Sequence, residues 1–233
     1  MESLNKRRSI RKYAGRDVSE ELLTRLLREA ERTQTMGNLQ LYSVVVTRSD
    51  EKKRQLAPAH FNQPMVTEAP VVLTICALPG YDNFLSFINA ASDALLYAQT
   101  FCNLADEEGL GYCYLGTTVY MPQQIIEVLR LPRLVMPVAT LTLGWPGENP
   151  PQTDRLPVEA ILHGETYRDY DAALIDRFYS AKEALPENKE FVRVNDKETL
   201  AQVFTDIRYT RRDNEAMSRT FLDALRQQGF MQD

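Results

Sequence analysis

Histidine and cysteine are scarce in this sequence of 233 residues, which contains 2 histidines and 3 cysteines. His60 and His163 cannot form a histidine-rich metal site, and no CxxC spacing suggests a zinc ribbon. An odd number of cysteines argues against a disulfide framework, and Cys76 and Cys113, in apolar runs, are expected to be buried fillers. We therefore expect no resident metal ion, and we expect each histidine at the surface or at a cap.

Several nucleotide-binding and hydrolase motifs are also missing. The chain has no Walker loop, no G-x-S-x-G elbow and no EF-hand loop. The glycines from Gly109 follow a helix with the spacing G-x-G-x-x-x-x-G, so they do not form a Rossmann fingerprint. No pair of carboxylates stands out for acid–base work, because the acidic residues lie mostly on predicted helix faces. If the protein is an enzyme, an organic cofactor is expected to supply the reactivity, without a catalytic side chain.

Long hydrophobic runs and an excess of positive charge are absent as well. No apolar run approaches the roughly 20 residues of a membrane span, and the sequence is charged from Glu2 onward. We therefore expect a cytoplasmic protein without a membrane segment. The 27 Lys+Arg and 32 Asp+Glu give a net charge of -5, which argues against a nucleic-acid partner.

Positive charge nevertheless concentrates in the stretch from Lys6 to Tyr13, which we call the basic segment. Five cations lie within seven residues there: Lys6, Arg7, Arg8, Arg11 and Lys12. Guanidinium groups suit phosphate and other planar oxygen groups, and the hydroxyl of Ser9 adds a donor. The pattern indicates a local anion site, while charge alone is equally typical of a solvated basic arm.

Hydrophobic periodicity predicts an α+β or α/β layer architecture. Four strand-like runs alternate with helices, at 41–47, 71–75, the start of 111–118, and 136–144. Helices are predicted over 20–33, 49–56, 84–108, 122–129, 170–185, 196–205 and 214–228. The prolines from 146 to 157 predict a crossing without regular structure. We expect a single domain over 1–233, in which 146–233 contain this crossing and a helical C-terminal extension.

Two further stretches suggest contacts with a ligand or a second chain. Residues 33–40 are small and polar, which predicts a loop whose amide side chains could bind a flat polar group or simply face solvent. The predicted helix over 84–108 is rich in alanine, which permits close approach of another helix, including one from a second subunit.

Four motifs, in the same order along the chain, resemble those of the nitroreductase family of FMN-dependent oxidoreductases. Arg7–Tyr13 resembles the family's opening R-S-I-R-x-F/Y, and Gly109–Gly116 resembles its G-L-G-x-x-x-I/L-G segment. Residues 143–157 resemble the run L-G-W-P…N-P…R-L-P, and 218–230 resemble the final helix. The last two motifs are similar to those of the oxygen-insensitive, NADPH-preferring bacterial branch.

This resemblance implies a three-layer α+β fold, in which a mostly antiparallel central sheet is flanked by helices, and an intertwined homodimer. It implies FMN as cofactor and NAD(P)H as co-substrate. The implied activity is hydride transfer from NAD(P)H to a small-molecule electron acceptor, a nitroaromatic, quinone or flavin, by a ping-pong mechanism. Two alternatives stay open: another reduction on the same scaffold, of flavins, enones or halogenated compounds, and a flavin-binding sensor without turnover.

The resemblance also implies which residues contact FMN, in three groups. The phosphate, ribityl chain and pyrimidine oxygens would be bound by Arg7, Arg8, Ser9, Arg11 and Arg155. The isoalloxazine would be lined by Asn62, Tyr114, Leu115, Gly116 and Thr117. A loop offered by the partner subunit would contribute Thr35, Asn38 and Gln40.

The chain departs from the branch at three places. Thr153 stands where the branch has a lysine, so one cation near the phosphate is missing. Leu41-Tyr42 replaces the usual Pro-Trp after the loop glutamine. In the branch, a different stretch of basic residues, near the C-terminus, binds the NADPH 2′-phosphate. This stretch is shortened here, and Arg208, Arg211 and Arg212 are the candidates to replace it.

Overall fold

A four-stranded antiparallel sheet lies at the centre of the computed structural model, which describes residues 2–231. Its strands are β1 (Tyr42–Thr47), β2 (Val71–Ala77), β3 (Gly111–Leu115) and β4 (Met136–Gly144). The spatial order is β1-β2-β4-β3, so β2 and β4 are central and β1 and β3 are edges. Every residue of β2 and β4 is buried, which explains their nearly unbroken apolar runs.

Pro137 lies in the central strand β4, where proline is normally excluded because it has no N–H to donate. It pairs with Cys76 next to a register shift between Ile75 and Cys76 of β2. A local irregularity of this kind is one of the few places where a sheet tolerates proline. The strand predicted over 136–144 is therefore confirmed despite its proline.

The helices in the described part of the chain surround this sheet. They are α1 (Glu2–Lys6), α2 (Glu20–Ala30), α3 (Asp50–Leu56), α4 (Pro64–Glu68), α5 (Phe84–Glu107), α6 (Pro122–Leu129), α7 (Ala172–Glu183), α8 (Pro186–Val194), α9 (Leu200–Val203) and α10 (Arg211–Gln228). The side chains of Ser19 and Ser49 accept hydrogen bonds from the third residues of α2 and α3, as N-caps do. None of these helices has the length and apolar character that a membrane crossing requires.

Two hydrophobic clusters form the core beside the sheet. The larger one contains the inward faces of α2 and α5, with Leu26, Ala94 and Phe101 fully or almost fully buried. The smaller one, which we call the second cluster, includes Leu56, Ile125 and Leu115. Val72 belongs to the second cluster while its neighbours along β2 belong to the larger one, as the alternation of side chains across a sheet requires.

The chain divides into two compact units. The first extends to Gln152 and resumes at Met217; it contains the sheet and α1 to α6. The second, Thr153–Ala216, contains α7 to α9 and a π-helical turn at Phe204–Arg208. That the chain folds as a single domain stays a prediction.

The predicted α+β class, with its antiparallel sheet and flanking helices, is confirmed. Four helices differ from the prediction. The short helices α1, α4 and α8 were not predicted. The helix expected over 196–205 is shorter, because it passes into the π-helical turn after Val203. Helices of five to nine residues are too short to display a convincing apolar period.

Candidate functional site

The basic segment lies along the edge strand β3 and the loop that follows β4. The Ile10 N–H donates to the carbonyl oxygen of Tyr112 at 2.9 Å, and the Gly147 N–H donates to that of Lys12 at 2.9 Å. Three of the four motifs found in the sequence therefore meet in space, although the first is separated from the other two by about a hundred residues or more.

Two glycines permit this close approach. A Cβ atom on Gly111 would lie 2.7 Å from the side chain of Ile10, and one on Gly147 would lie 2.7 Å from the carbonyl carbon of Tyr13. Real Cβ atoms do not come so close to such atoms, so a larger residue at either position would push the basic segment away.

Glu148 fixes the backbone of the basic segment, a role that the sequence analysis missed. One of its carboxylate oxygens accepts hydrogen bonds from the N–H groups of Arg11 at 2.7 Å and Lys12 at 3.1 Å. These two backbone bonds, and then the nearby positive charges, lower the pKa of Glu148. Glu148 thus holds the backbone of the basic segment. Neither of these hydrogen bonds uses the cationic end of a side chain.

The Tyr13 hydroxyl anchors the end of the segment. It lies 2.6 Å from the Thr142 hydroxyl of β4 and donates to the Ile10 carbonyl oxygen at 2.9 Å. Burial raises the pKa of this phenol. Tyr13 is therefore a structural anchor that holds the segment in a fixed position against the sheet.

Arg8 carries the least satisfied donor of the segment. Its Nη1 donates to the Lys6 carbonyl oxygen at 2.7 Å, whereas its Nε is buried and has no hydrogen-bond partner within the described chain. A buried charged donor without an acceptor is energetically costly. An anionic or carbonyl-bearing ligand beside Arg8 would remove that cost.

Arg7 and Arg11 bring positive charge close to β3. Burial raises the pKa of the Cys102 thiol to about 12 and raises that of the Asp106 carboxyl, and the Arg7 charge opposes both changes. Burial likewise raises the pKa of Cys113, and the charge and hydrogen bond of Arg11 oppose that rise. All three cysteines are buried and unpaired, as predicted for Cys76 and Cys113.

The 3₁₀ turn Gly116–Val119 follows β3 directly, and we call it the glycine turn. Tyr114 is exposed and Leu115 is buried at the end of the strand. A Cβ atom on Gly116 would meet no atom within 4 Å, so the backbone there faces open space. Thr117 is half-buried, and Thr118 is fully buried with its hydroxyl donating to the Leu115 carbonyl oxygen at 2.8 Å.

His60 is fully buried, so the expectation of a surface or capping histidine is wrong at this position. It ends the 3₁₀ turn Ala57–His60, and its Nδ1 lies 2.8 Å from the Thr117 hydroxyl. Burial lowers its pKa to about 4. His163, in contrast, is only half-buried and accepts a hydrogen bond from the Arg168 N–H at 3.2 Å.

Asn62 lies two residues beyond this contact, and its side chain is exposed. Its N–H donates to the Ala57 carbonyl oxygen at 2.8 Å. Phe61 and Asn62 both have left-handed backbone angles, with φ of 54° and 53°. This unusual pair turns the chain sharply after His60, and it presents the amide of Asn62 to solvent.

The loop that contains Thr35, Asn38 and Gln40 is fastened to α5 by Asp93, which we call the loop anchor. Asp93 is buried, and its Oδ2 accepts from the Thr35 hydroxyl at 2.5 Å and from the Leu41 N–H at 3.3 Å. Its Oδ1 accepts from the Met36 N–H at 3.1 Å. The Thr35 hydroxyl is thus used within the chain, whereas Asn38 and Gln40 are exposed at positive φ.

Replacing the loop anchor, Asp93→Asn, is expected to lower the free energy of unfolding by about 2 kcal/mol. An amide offers only one acceptor oxygen, so its NH₂ group would face donors that now bind a carboxylate. Urea denaturation measures the loss, and hydrogen exchange should accelerate at the amides of Met36 and Leu41. The exposed Asp82→Asn is the matched control; equal stability of the two variants would contradict the anchoring role.

Arg155 belongs to the second unit and is exposed. Its Nη1 donates to the Thr153 hydroxyl at 2.8 Å and to the Asp154 carbonyl oxygen at 2.8 Å. Thr153, which replaces the lysine of the branch, therefore supports this arginine instead of supplying a charge. Lys182 pairs with Asp154 at 2.9 Å and fixes the same stretch to α7.

The three C-terminal arginines considered for NADPH recognition all have partners within the second unit. Arg208 lies over the Phe191 ring, with its guanidinium carbon 4.6 Å from the ring centroid. Ion pairs join Arg211 to Glu215 at 2.8 Å and Arg212 to Asp213 at 3.2 Å. The side chains of Arg211 and Arg212 are highly exposed, so these surface pairs are weak enough to exchange for a phosphate.

Contacts within the first unit join two of the three predicted groups, the one for the phosphate side (without Arg155) and the one for the isoalloxazine. The basic segment binds β3, β3 leads into Tyr114 and the glycine turn, and His60 connects that turn to the stretch containing Asn62. The loop of Thr35, Asn38 and Gln40 is held by α5 instead. Arg155 lies in the other unit.

Comparison with known proteins gives a consistent picture. The sequence model described as the nitroreductase family matches residues 4–145. The FMN reductase (NAD(P)H) of Bacillus subtilis (strain 168) is 31% identical over 217 residues, which cover 85% of this chain and 86% of that protein. The oxygen-insensitive NADPH nitroreductase of Salmonella typhimurium is 27% identical over 183 residues, covering 73% of this chain and 75% of that protein.

A solved structure agrees closely with the fold. The crystal structure of a protein from Bacteroides fragilis NCTC 9343 is 58% identical and superposes with a TM-score of 0.95. The match covers 98% of this chain and 99% of that one.

Proposed function

The chain belongs to the nitroreductase family, and from this premise we propose that it is an FMN-dependent enzyme that oxidises NAD(P)H and reduces nitroaromatics, quinones or flavins. The family predicted from the four sequence motifs is confirmed, and with it the class of enzyme, an oxidoreductase. Relatives named as FMN reductase and as NADPH nitroreductase support the choice of cofactor and co-substrate.

The residues of the first unit suit FMN. Its phosphate and pyrimidine carbonyl groups are acceptors for the donors of Arg7, Arg8, Ser9 and Arg11, and the buried Nε of Arg8 needs such an acceptor. The open space beside Gly116 leaves room for a flat ring against the backbone. We further propose that the isoalloxazine is lined by Asn62, Tyr114, Leu115, Gly116 and Thr117.

FMN, when bound, supplies a centre that accepts and donates hydride, which none of the side chains described here can do. The protein's own contribution is binding, orientation and charge. We propose that the arginines of the basic segment stabilise negative charge on the ligand, and that backbone N–H groups of the glycine turn add further donors. In this proposal no side chain needs to act as a nucleophile.

A homodimer is part of the proposal, because α5 carries an apolar stripe that faces solvent in the single chain. Leu85, Ile88, Leu95 and Leu96 are between 42% and 70% exposed, although large apolar residues on a helix are normally buried. The loop anchor ties the loop of Thr35, Asn38 and Gln40 to this same helix. A second copy packed on the stripe would cover it, and the loop would reach the partner's FMN.

We also propose that Arg155 binds the FMN phosphate, and that one of Arg208, Arg211 and Arg212 binds the NADPH 2′-phosphate. We propose that NAD(P)H and the electron acceptor bind in turn at the same face of FMN. Because only one of them can occupy that face at a time, the mechanism would be ping-pong. A cytoplasmic location stays a prediction.

One observation carries the proposed function: the buried Nε of Arg8 has no hydrogen-bond partner in the described part of the chain, although its segment is held against β3 by a backbone hydrogen bond. The test begins with the visible spectrum of the purified protein after incubation with FMN, which should show a bound yellow flavin. NADPH should then bleach it, and nitrofurazone or menadione should restore it, with parallel lines in double-reciprocal plots. Sedimentation should give the mass of two chains.

Different results separate the alternatives. A protein that stays colourless in excess FMN would refute the proposed function. Bound FMN without NADPH or NADH oxidation would favour the sensor, and a panel of flavins, enones and halogenated compounds would identify another reductase activity on the same scaffold. Sedimentation as a single chain would contradict the dimer.

A further inference from the structure

The contact between His60 and Thr117 joins two 3₁₀ turns that are far apart in the sequence. Nδ1 of His60 lies 2.8 Å from the Thr117 hydroxyl oxygen, and the histidine has no exposed surface. Ala57 and Ala59, in the same turn as His60, belong to the second cluster together with Leu115, which precedes the glycine turn. The histidine is thus fixed by packing before any ligand is considered.

The donor in this contact can be assigned from the rest of the imidazole. Nε2 is buried and has no hydrogen-bond partner within the described chain. The ring is neutral at ordinary pH, because burial lowers its pKa to about 4, so it carries one N–H. A buried N–H without a partner costs more than a bare lone pair. We therefore assign the hydrogen to Nδ1, which donates to Thr117.

Accepting this bond determines what the Thr117 hydroxyl can do. A hydroxyl has one hydrogen, and when its oxygen accepts from Nδ1 that hydrogen is free for another acceptor. Its neighbour Thr118 is fully buried and donates to the Leu115 carbonyl oxygen, so it is committed to the fold. Thr117, which is only half-buried, is the hydroxyl of the glycine turn that is left for a ligand.

We propose that His60 is a positioning residue, which holds the Thr117 hydroxyl oxygen so that its hydrogen donates to an acceptor atom of the bound flavin. The inference rests on the proposed function, and it assigns to His60 a role that acts entirely through Thr117. It also explains why a histidine without a charge partner lies buried beneath this turn.

The test uses two substitutions of His60 that are similar in size, one with and one without a nitrogen donor near the position of Nδ1. His60→Asn retains an amide nitrogen close to the place of Nδ1, whereas His60→Leu fills similar space without a donor. Thr117→Val removes the hydroxyl, and the double variant H60L/T117V completes a thermodynamic cycle. The measurement is the FMN dissociation constant of each apoprotein by fluorescence titration, with the free energy of unfolding recorded alongside.

The dissociation constant is expected to rise by about threefold to tenfold in H60L and in T117V, the equivalent of one hydrogen bond to the ligand. H60N should stay close to the unsubstituted protein, and the double variant should bind no worse than T117V. If His60 is only a packing residue, H60L will lower stability without changing the FMN dissociation constant, or the increases in dissociation constant caused by H60L and T117V will multiply in the double variant. Either result would overturn the inference.

Failure of the proposed function would be recognised separately. An unsubstituted protein that takes up no FMN refutes flavin binding itself. The hydrogen bond can still be examined in that protein by ¹⁵N NMR of the imidazole, where a protonated Nε2 in place of Nδ1 would refute the assigned tautomer.

Discussion

Replacing Arg8 by alanine is expected to weaken FMN binding by about 10- to 100-fold, because charge-assisted hydrogen bonds contribute roughly 1.5–3 kcal/mol. The Nε of Arg8 is buried and has no hydrogen-bond partner among residues 2–231, so this donor is already desolvated and in place. Such a group gives most of its interaction energy to the ligand, since little ordering is left to pay for on binding. Fluorescence titration of the apoprotein with FMN at fixed ionic strength gives the dissociation constant.

Arg54→Ala is the matched control for Arg8→Ala. Arg54 is exposed on α3, outside the basic segment, and its removal changes the net charge by the same amount. Combining R8A with R155A should yield a folded protein that is isolated without flavin. If R8A and R54A bind FMN equally well, Arg8 does not contact the cofactor and the proposed orientation of the basic segment is wrong. R155A alone tests whether the second unit contributes to the site.

Lowering the pH from 7 to 5 is expected to reduce the free energy of unfolding by about 2 kcal/mol through His60 alone. In the unfolded chain this imidazole has its ordinary pKa of 6.5, and burial lowers the folded-state pKa to about 4. Between these two values the unfolded chain binds more protons than the folded one. Stability from this group is therefore complete well above pH 6.5 and is lost progressively until the pH falls to about 4.

Urea denaturation at pH 7, 6 and 5 measures this loss, with H60N as the comparison because asparagine does not titrate in this range. The free energy of unfolding of the unsubstituted protein, relative to that of H60N, should fall by about 2 kcal/mol between pH 7 and pH 5, since other titrating groups affect both proteins equally. A difference that does not change with pH would mean that His60 is accessible to protons in the folded state.

The elements of the first unit could largely be read from the sequence. Nearly unbroken apolar runs identify β2 and β4, and Ser19 and Ser49 precede acidic first turns as N-caps do. Gly109 and Gly229 directly follow the helices predicted over 84–108 and 214–228, and they have φ of 76° and 99°, which glycine adopts without strain. These signals are local, so a single sequence is enough to find them.

The parts of the site that depend on tertiary contacts could not be predicted in this way. His60 lies in a stretch rich in turn-forming residues, and nothing nearby in the sequence indicates that the second cluster will bury it. Glu148 looked like one more acid in a proline-rich crossing. Asp93, in contrast, could have been found from the sequence. It is an isolated acid inside a helix that is otherwise rich in alanine, leucine and small polar residues, and an acid that such a helix buries needs hydrogen-bond partners.

The two hydrogen bonds from the basic segment to Glu148 have a consequence for biosynthesis. Arg11 and Glu148 are separated by 137 positions, and β3 also follows the segment by about a hundred residues. The ribosome therefore synthesises the basic segment long before Glu148 and strand β3 exist. In nascent chains shorter than about 150 residues, the basic segment should therefore lack these hydrogen-bond partners. FMN binding should be a late event in the maturation of the protein.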